Sequence, residues 1–199
     1  FLRHDGQAVT CDDFVKAMED ANGQDLTQFR RWYSQAGTPV VTATTEYLAE
    51  QKQFALTLKQ NTAPTPGQPN KLPLHIPVAI GLLGANGKDI ALTLQDGTRL
   101  DAHQAVIELT EAEQTFIFTG VDAKPVVSLF RGFSAPIKLT VQQSREELAV
   151  LMSNDRDGFN RWNASQRLTI SVISDLMLAF KSNAQGSVDH ALIDSFRSL

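Results

Sequence analysis

The stretch that decides the fold is Phe29-Arg30-Arg31-Trp32-Tyr33-Ser34-Gln35-Ala36-Gly37-Thr38-Pro39-Val40-Val41. Phe29, Trp32 and Tyr33 fall on one helical face together with Leu26, which is typical of an amphipathic helix. Gly37 stands where a left-handed cap would end that helix, and Pro39 cannot continue it. From Val40 onward, apolar residues alternate over short runs, which predicts β-strands. The chain therefore changes from helix to sheet at this point.

Two short helices are predicted before the change. Thr10 and Asp13 have the spacing of a capping box at the start of the first helix, and Gly23 is expected to end it. Asp25 is predicted to cap the second helix. Cys11 lies in the first helical turn and is interpreted as a packing residue, since unpaired cysteine is commonly buried.

The middle of the chain predicts an antiparallel β-sandwich. The turn pairs Asn86-Gly87 and Asp96-Gly97 are signals for tight hairpins, in which both central residues take positive φ. No helical period separates the strands, which favours antiparallel pairing. The predicted strands span Val40–Ala43, Gln53–Gln60, Leu74–Leu83, Ile90–Gln95, Ala105–Leu109, Thr115–Phe118, Val126–Phe130 and Pro136–Val141.

The last quarter of the chain returns to helical spacing. Ser144 and Glu147 form a second capping-box pattern. A longer helix is predicted from Phe159 or Ala164 to Lys181, and a last amphipathic helix passes through Leu192, Ile193 and Phe196. The fold class is therefore α+β, with a central antiparallel β-sandwich flanked by helices. The expected domain ranges are 1–37, 38–143 and 144–199.

Composition excludes several classes of protein. Lys and Arg number 18 against 22 acidic residues, so the sequence lacks the basic surface that nucleic-acid binding requires. No apolar run approaches the length of about 20 residues that spans a bilayer. The single cysteine permits no internal disulfide, which favours a reducing compartment and a cytoplasmic location.

No pattern of residues predicts a catalytic, cofactor-binding or metal site. The histidines His4, His75, His103 and His190 are far apart in the sequence, whereas a zinc site needs three or four convergent ligands. The run Asn154–Gly158 looks like a calcium loop, but both anchoring carboxylates are missing, so a helix–helix turn is expected. Gly81, Gly84 and Gly87 lie between strands, where hairpin geometry explains them better than phosphate binding.

Several long strings of residues resemble the bacterial aminopeptidase N family of zinc exopeptidases. The resemblance places Phe29–Val41 at the junction between that family's catalytic domain and the β-sandwich after it. It covers almost the whole chain. Further matching strings are Arg3–Ala8, Cys11–Phe14, Pro73–Pro77, Ala112–Phe116 and Phe133–Leu139.

The resemblance implies a non-catalytic segment of a zinc aminopeptidase. The family's zinc motif, His-Glu-x-x-His, and its Gly-Ala-Met-Glu-Asn substrate loop do not occur in this sequence. Residues 1–37 would be the helical tail of the catalytic domain, 38–143 a complete sandwich, and 144–199 the start of a C-terminal helical domain. The chain alone is expected to be inactive and to bind no zinc, while the parent enzyme removes N-terminal residues from peptides.

Two functional hypotheses follow. In the first, the segment is a spacer that packs on the catalytic and C-terminal domains of the parent, and the isolated chain collapses intramolecularly or forms a homodimer through its exposed apolar helices. In the second, it is a free-standing β-sandwich module that binds peptide or carbohydrate. The second hypothesis requires an exposed aromatic platform or groove, and neither Trp32 nor Trp162 falls in the predicted sandwich.

Overall fold

The structure is a computed structural model that describes residues 2–101, 105–184, 186 and 189–197. The first helix, α1 (Cys11–Asn22), begins with the predicted capping box of Thr10 and Asp13 and ends at Gly23, whose φ is 63°. The second helix, α2 (Arg31–Ser34), is shorter than expected. Asp25 accepts a hydrogen bond from the backbone N–H of Thr27 at 2.8 Å, so its side chain stabilises a local turn instead of capping a helix.

Within the described residues, nine strands form three sheets. A four-stranded sheet has the order β7-β2-β1-β9, a three-stranded sheet has the order β6-β3-β8, and β4 pairs with β5. The strands are β1 (Val40–Leu48), β2 (Gln53–Asn61), β3 (Ile76–Leu83), β4 (Leu92–Thr93), β5 (Arg99–Leu100), β6 (Val106–Leu109), β7 (Glu113–Thr119), β8 (Val126–Leu129) and β9 (Lys138–Val141). The predicted α+β class is therefore confirmed.

One strand pairing differs from the antiparallel pattern. β9 lies parallel to β1, with Val40 opposite Lys138 and Ala43 opposite Val141. The other pairings between strands are antiparallel. A parallel pair needs a long connection between its strands, and here that connection is the rest of the sandwich.

The hairpin signals are correct, but the turn geometry is not the one predicted. Gly87 and Gly97 have φ of 72° and 88°, whereas Asn86 and Asp96 do not have positive φ. Each of these two side chains instead accepts a hydrogen bond from the backbone N–H two residues ahead. Such local turns need only one left-handed residue, which glycine supplies.

Strand lengths also differ from the prediction. β1 continues five residues past Ala43, because its polar stretch pairs with β2 along the whole strand, from Val40 opposite Asn61 to Leu48 opposite Gln53. The strand expected over Ile90–Gln95 is reduced to β4, and β5 was not predicted. Polar residues can extend a strand when their backbone groups pair with a neighbouring strand. The alternation of apolar residues along the sequence gives no sign of such an extension.

The core of the sandwich lies between the two larger sheets. Its largest fully buried side chains come from β2, β3, β4, β6 and β7 and from the segment before β3: Phe54, Leu56, Leu58, Leu74, Ile76, Ile80, Leu82, Leu92, Leu109 and Phe118. Trp32 packs against this core from the N-terminal segment. Its indole N–H donates to the carbonyl of His75 at 2.8 Å, which fixes α2 on the sandwich.

Three helices follow β9 in the described residues. They are α3 (Arg145–Asn154), α4 (Gly158–Lys181) and α5 (His190–Arg197). The predicted capping box of Ser144 and Glu147 starts α3. The turn between α3 and α4 consists of Asp155, Arg156 and Asp157. The run Asn154–Gly158 is therefore a helix–helix turn, as predicted. A second apolar cluster joins α3 and α4 to the end of β3 through Leu83, Leu148, Leu151, Met152, Ala164 and Leu168.

Candidate functional site

The histidines do not come together in the described part of the chain. His75 lies before β3, where its Nε2 is 3.3 Å from a carboxylate oxygen of Glu108 and its ring meets Phe29 edge to face. His4 and His190 lie in the N-terminal and C-terminal segments, and His103 lies outside the described residues. Among the described residues, no three potential metal ligands are grouped. The absence of a metal or catalytic site in this chain stays a prediction.

Cys11 differs from its interpretation as a packing residue. It is exposed, at the first position of α1. Cys11 follows an exposed turn and therefore has few neighbours. Its position in a helix was not enough to predict whether the side chain is buried. Val15, four residues further, is the residue of α1 that is buried, with 2% of its surface exposed.

A buried ion cluster joins the sandwich to the C-terminal helices. The Arg131 guanidinium donates two hydrogen bonds to the Asp89 carboxylate, at 3.0 and 2.8 Å. It also lies 3.0 Å from Asp155, and the three side chains are only 10%, 2% and 0% exposed. Asp89 follows β3, Arg131 follows β8 and Asp155 follows α3, so a single guanidinium connects three segments.

The cluster is charge-compensated, which is why it can be buried. Burial acts to lower the pKa of Arg131, but its hydrogen bonds and charge interactions with Asp89 and Asp155 outweigh that effect and the pKa is raised. Arg156 lies 3.3 Å from Asp89 at the surface. Removing one member of such a buried group would leave an uncompensated charge.

Asp157 and Asn160 add hydrogen bonds with backbone groups to the same joint. Asp157 is the N-cap of α4 and accepts from the backbone N–H of Asn160. Its second oxygen accepts from the backbone N–H of Gly132 at 2.8 Å. The Asn160 amide donates to the carbonyl of Leu129 at 3.0 Å. The first turn of α4 is therefore fixed to the end of β8.

Side chains near and on α4 also cover the last strands of the two larger sheets. Gln143 donates to the carbonyl of Val127 in β8 at 3.0 Å. Arg167 donates to the carbonyl of Val141 in β9 at 2.8 Å and to the Gln143 side chain at 2.6 Å. These contacts give hydrogen-bond partners to edge carbonyls, which would otherwise be available to pair with another chain.

The helix α1 has a second, outward apolar face. Phe14 and Met18 are 54% and 41% exposed and lie one helical turn apart, on the flank of the helix beside buried Val15. With His4 and Val9 they line an apolar groove of about 430 Å³. We call this surface the α1 outer face.

The helix α4 shows the same division. Ala164, Leu168 and Val172 are buried against α3 and the sandwich, while the opposite side exposes a long row of apolar residues at helical spacing. We call this row the α4 outer face. It consists of Phe159, Trp162, Ile170, Ile173, Met177 and Phe180.

An aromatic cluster continues the α4 outer face onto the sandwich. The ring centroid of Phe159 is 4.1 Å from that of Phe133 and 5.4 Å from that of Trp162. Phe133 is 65% exposed and has a φ of 54° in a short turn after β8. A left-handed φ is uncommon for a bulky residue, so the surrounding contacts of Arg131 and Gly132 must maintain this conformation.

The expected apolar faces of the helical segments are thus divided between buried and exposed positions. Leu168 and Val172 are buried, and Leu26, Phe29 and Trp32 are half-buried on the sandwich. Phe180 and Phe196 remain 83% and 54% exposed. In the described part of the chain, no helix is both long and apolar enough to cross a membrane.

Two family models match the chain. Residues 37–142, more than half of the chain, match a domain of unknown function (DUF3458) with an Ig-like fold. Residues 145–199 match a domain of unknown function (DUF3458_C) described as ARM repeats. The boundary between the two matches falls beside Ser144, the N-cap of α3.

Bacterial aminopeptidases are similar to this chain over nearly all its length. Aminopeptidase N of Escherichia coli is 45% identical over 199 residues, which are all of this chain and 22% of the relative. Aminopeptidase N of Haemophilus influenzae is 42% identical over 83% of this chain and 18% of its own length. The chain therefore spans about a fifth of the relatives that it matches.

The fold agrees with a solved structure from the same group of proteins. Legionella pneumophila aminopeptidase A, in complex with aspartic acid, superposes with a TM-score of 0.75 and 26% identity, covering 98% of this chain and 20% of that protein. These matches confirm the resemblance found in the sequence. The chain belongs to the DUF3458 family with its Ig-like fold, and it is homologous to a non-catalytic region of bacterial aminopeptidase N.

Proposed function

We propose that this chain is the structural spacer of a zinc-dependent aminopeptidase, and that it holds the catalytic domain against the C-terminal helical domain. The observation that carries this proposal is the pair of outward apolar faces on helices whose other sides are already buried. A helix whose apolar residues extend beyond its buried side is typically covered there as well. Large exposed apolar patches mark contact surfaces on proteins.

The two faces suggest two different neighbours. We propose that the α1 outer face packs on the catalytic domain, of which residues 1–37 would be the helical tail. The α4 outer face would pack on helices that follow α5. This assignment is supported by the ARM-repeat description of residues 145–199, because helical repeats bury their apolar surfaces by stacking on the next repeat.

The domain ranges 1–37, 38–143 and 144–199 are part of the same proposal. The two family matches, 37–142 and 145–199, support them to within one residue at each boundary. The buried cluster of Arg131 lies at the second boundary, where it would keep the orientation of the sandwich and the helices constant.

The chemistry of the parent enzyme is proposed from the resemblance. It would remove N-terminal residues from peptides, with zinc bound by a His-Glu-x-x-His helix that this sequence does not contain. The described residues do not fit a zinc site, since no three potential ligands are grouped among them. We propose a cytoplasmic location for the parent, in keeping with the single cysteine.

The proposal is tested in the parent enzyme by placing charges on the α4 outer face. Ile173→Glu with Met177→Glu should lower the thermal midpoint and the aminopeptidase activity, because two carboxylates would be buried between domains. Leu72→Glu is the control, since Leu72 is 60% exposed and belongs to neither outer face. A parent enzyme that tolerates the double substitution as well as the control would contradict the spacer assignment.

The isolated chain offers a second test. With the α4 outer face in water, we expect it to form a homodimer through this face, since paired apolar surfaces are removed from water. Light scattering should report twice the monomer mass, and Ile173→Glu should restore the monomer. The isolated chain should also show no aminoacyl-arylamide hydrolysis and no zinc that survives dialysis.

The alternative of a peptide- or carbohydrate-binding module has less support. Trp32, which lies before the sandwich strands, is half-buried and donates its indole N–H to the carbonyl of His75. The exposed aromatic cluster of Phe133, Phe159 and Trp162 lies at the joint with α4 and is continuous with the α4 outer face, which favours packing against a neighbouring domain.

A further inference from the structure

Among the described strands, none pairs with the backbone groups on the outer edge of β9. The N–H of Lys138 donates to the carbonyl of Pro39 beside β1 at 2.9 Å, and successive residues of a strand alternate in direction. Leu139 and Val141 therefore direct their backbone groups away from β1. β9 is the last strand in its sheet, and the Val141 carbonyl accepts from Arg167, so the backbone of Leu139 is left for another segment.

A groove runs along this edge. It has a volume of about 300 Å³ and is lined by Leu139, Thr140, Val141, Asn163 and Arg167. One wall is the backbone of β9 and the other is the side of α4. A strand added to a sheet lies about 4.8 Å from its neighbour, so a segment in this groove would reach both the edge of β9 and the side chains of α4.

The charges beside the groove are positive and lack acidic partners. Arg167 is half-buried and contacts the neutral oxygens of Gln143 and Val141. Burial lowers the pKa of Arg167, and no carboxylate among the described residues pairs with it. A carboxylate placed within about 4 to 6 Å favours the charged form of such a cation. Lys138 is exposed on the same strand, also without an ion-pair partner in the described chain.

We propose that the edge of β9 is a binding site for an extended acidic segment of a separate polypeptide. The segment would add to β9 as a strand, with its backbone bonded to Leu139 and a Glu or Asp side chain placed against Arg167. Backbone pairing supplies affinity in this mode of recognition, and side-chain pockets supply selectivity. This site is distinct from the two apolar outer faces and does not depend on them.

The charge pattern also argues against a second copy of this chain at the same edge. Pairing two β9 strands would bring two Lys138 side chains and two Arg167 side chains close together, and like charges across a ladder are destabilising. Lysine on an edge strand discourages pairing with neutral or basic strands. The same residue would favour an acidic strand.

The test is binding of a labelled peptide in which Glu alternates with Thr, measured by fluorescence anisotropy with the 199-residue chain. Binding should weaken as salt is raised. The amide signals of Leu139 and Val141 should shift in NMR spectra. Arg167→Gln should weaken binding by about tenfold, because a charge-assisted pair is lost. Lys138→Glu should also weaken it, and this exposed substitution leaves the fold intact.

Matched controls decide the outcome. Lys88→Glu makes the same charge change at an exposed site away from the groove and should leave affinity unchanged. A peptide with Lys in place of Glu should not bind. Equal binding of the two peptides, amide shifts elsewhere, or no binding of the acidic peptide would overturn the proposal. So would loss of binding in the parent protein, because its own polypeptide would then occupy the groove.

Discussion

The guanidinium of Arg131 occupies the space that a side chain at position 81 would need. A Cβ atom built on Gly81 would overlap the guanidinium carbon and both of its terminal nitrogens. Gly81 lies inside β3, where glycine ordinarily weakens a strand. The φ of Gly81 is not positive, so its backbone conformation does not require glycine. The close approach of Arg131 explains why glycine is needed at this position.

Gly81→Ala should therefore destabilise the chain although alanine suits a strand better than glycine. The methyl group would displace Arg131 from Asp89 and Asp155, and we expect a loss of about 2 to 4 kcal/mol in the free energy of unfolding. Urea denaturation measures it. Gly158→Ala is the control, because no atom lies within 4 Å of its added Cβ. Equal midpoints for the two variants would contradict the close-approach explanation.

Arg131→Met should cost about 3 to 5 kcal/mol of unfolding free energy, because two buried carboxylates lose their cation. Arg156→Gln tests the same cluster at its surface. Arg156 is 59% exposed, so its loss should cost less than about 1 kcal/mol. Thermal unfolding followed by circular dichroism would compare them. If the two variants were equally stable, the buried cluster would not be a stabilising joint.

Asn160→Ala should cost about 1 to 3 kcal/mol, since the carbonyl of Leu129 would lose its donor at a buried position. The expected effect extends to β8, where hydrogen exchange of the strand amides should become faster. Asn163→Ala is a matched control one turn further along α4. No hydrogen bond of the Asn163 side chain is present in the described structure, and its replacement should change stability by less than about 0.5 kcal/mol. Unchanged exchange in β8 would disprove the fixation of α4 to that strand.

As the pH is lowered, α1 should lose stability at a higher pH than the sandwich does. The backbone N–H of Leu26 and the cation of Arg30 hold the pKa of Glu19 below its ordinary value, and Thr10 does the same for Asp13 through its backbone N–H and hydroxyl. A lowered pKa in the folded state contributes stability above the unfolded value, and that contribution is lost as the pH falls through the folded value. Protection of α1 amides should thus decrease below about pH 4.

Hydrogen exchange, corrected for the intrinsic effect of pH, measures this change in α1 against β3. Amides of β3 should outlast those of α1 at every pH, because the core lies there. Glu19→Gln should reduce α1 protection at neutral pH and flatten its pH dependence. Protection of α1 that does not change with pH would refute the role of these carboxylates.

Local signals in the sequence predicted local structure well. The capping boxes at Thr10 and Ser144 and the glycine end of α1 depend on residues at most four positions apart, so the sequence displays them directly. The Asn86-Gly87 turn was located correctly for the same reason. Its type was not, since a glycine in the left-handed region suits more than one kind of turn.

Features that depend on distant residues could not be predicted. Arg131 and Asp89 are 42 positions apart. Arg131 follows β8 and Asp89 follows β3, and no rule of sequence spacing predicts that two such segments meet. The parallel pairing of β9 with β1 joins the first and last strands of the sandwich. The alternation of apolar residues does not show whether two paired strands run parallel or antiparallel. The absence of the family's zinc motif, by contrast, was visible in the sequence itself.

The parallel pairing of β1 with β9 has a mechanical consequence. The chain enters the sandwich at Val40 and leaves it at Val141, and these residues lie at opposite ends of the paired stretch. A force that pulls the two flanking segments apart would load the hydrogen bonds between these strands together, in shear, so that they could not open one after another. A fold loaded in this way can bear tension between its two flanking segments while its own strands stay paired.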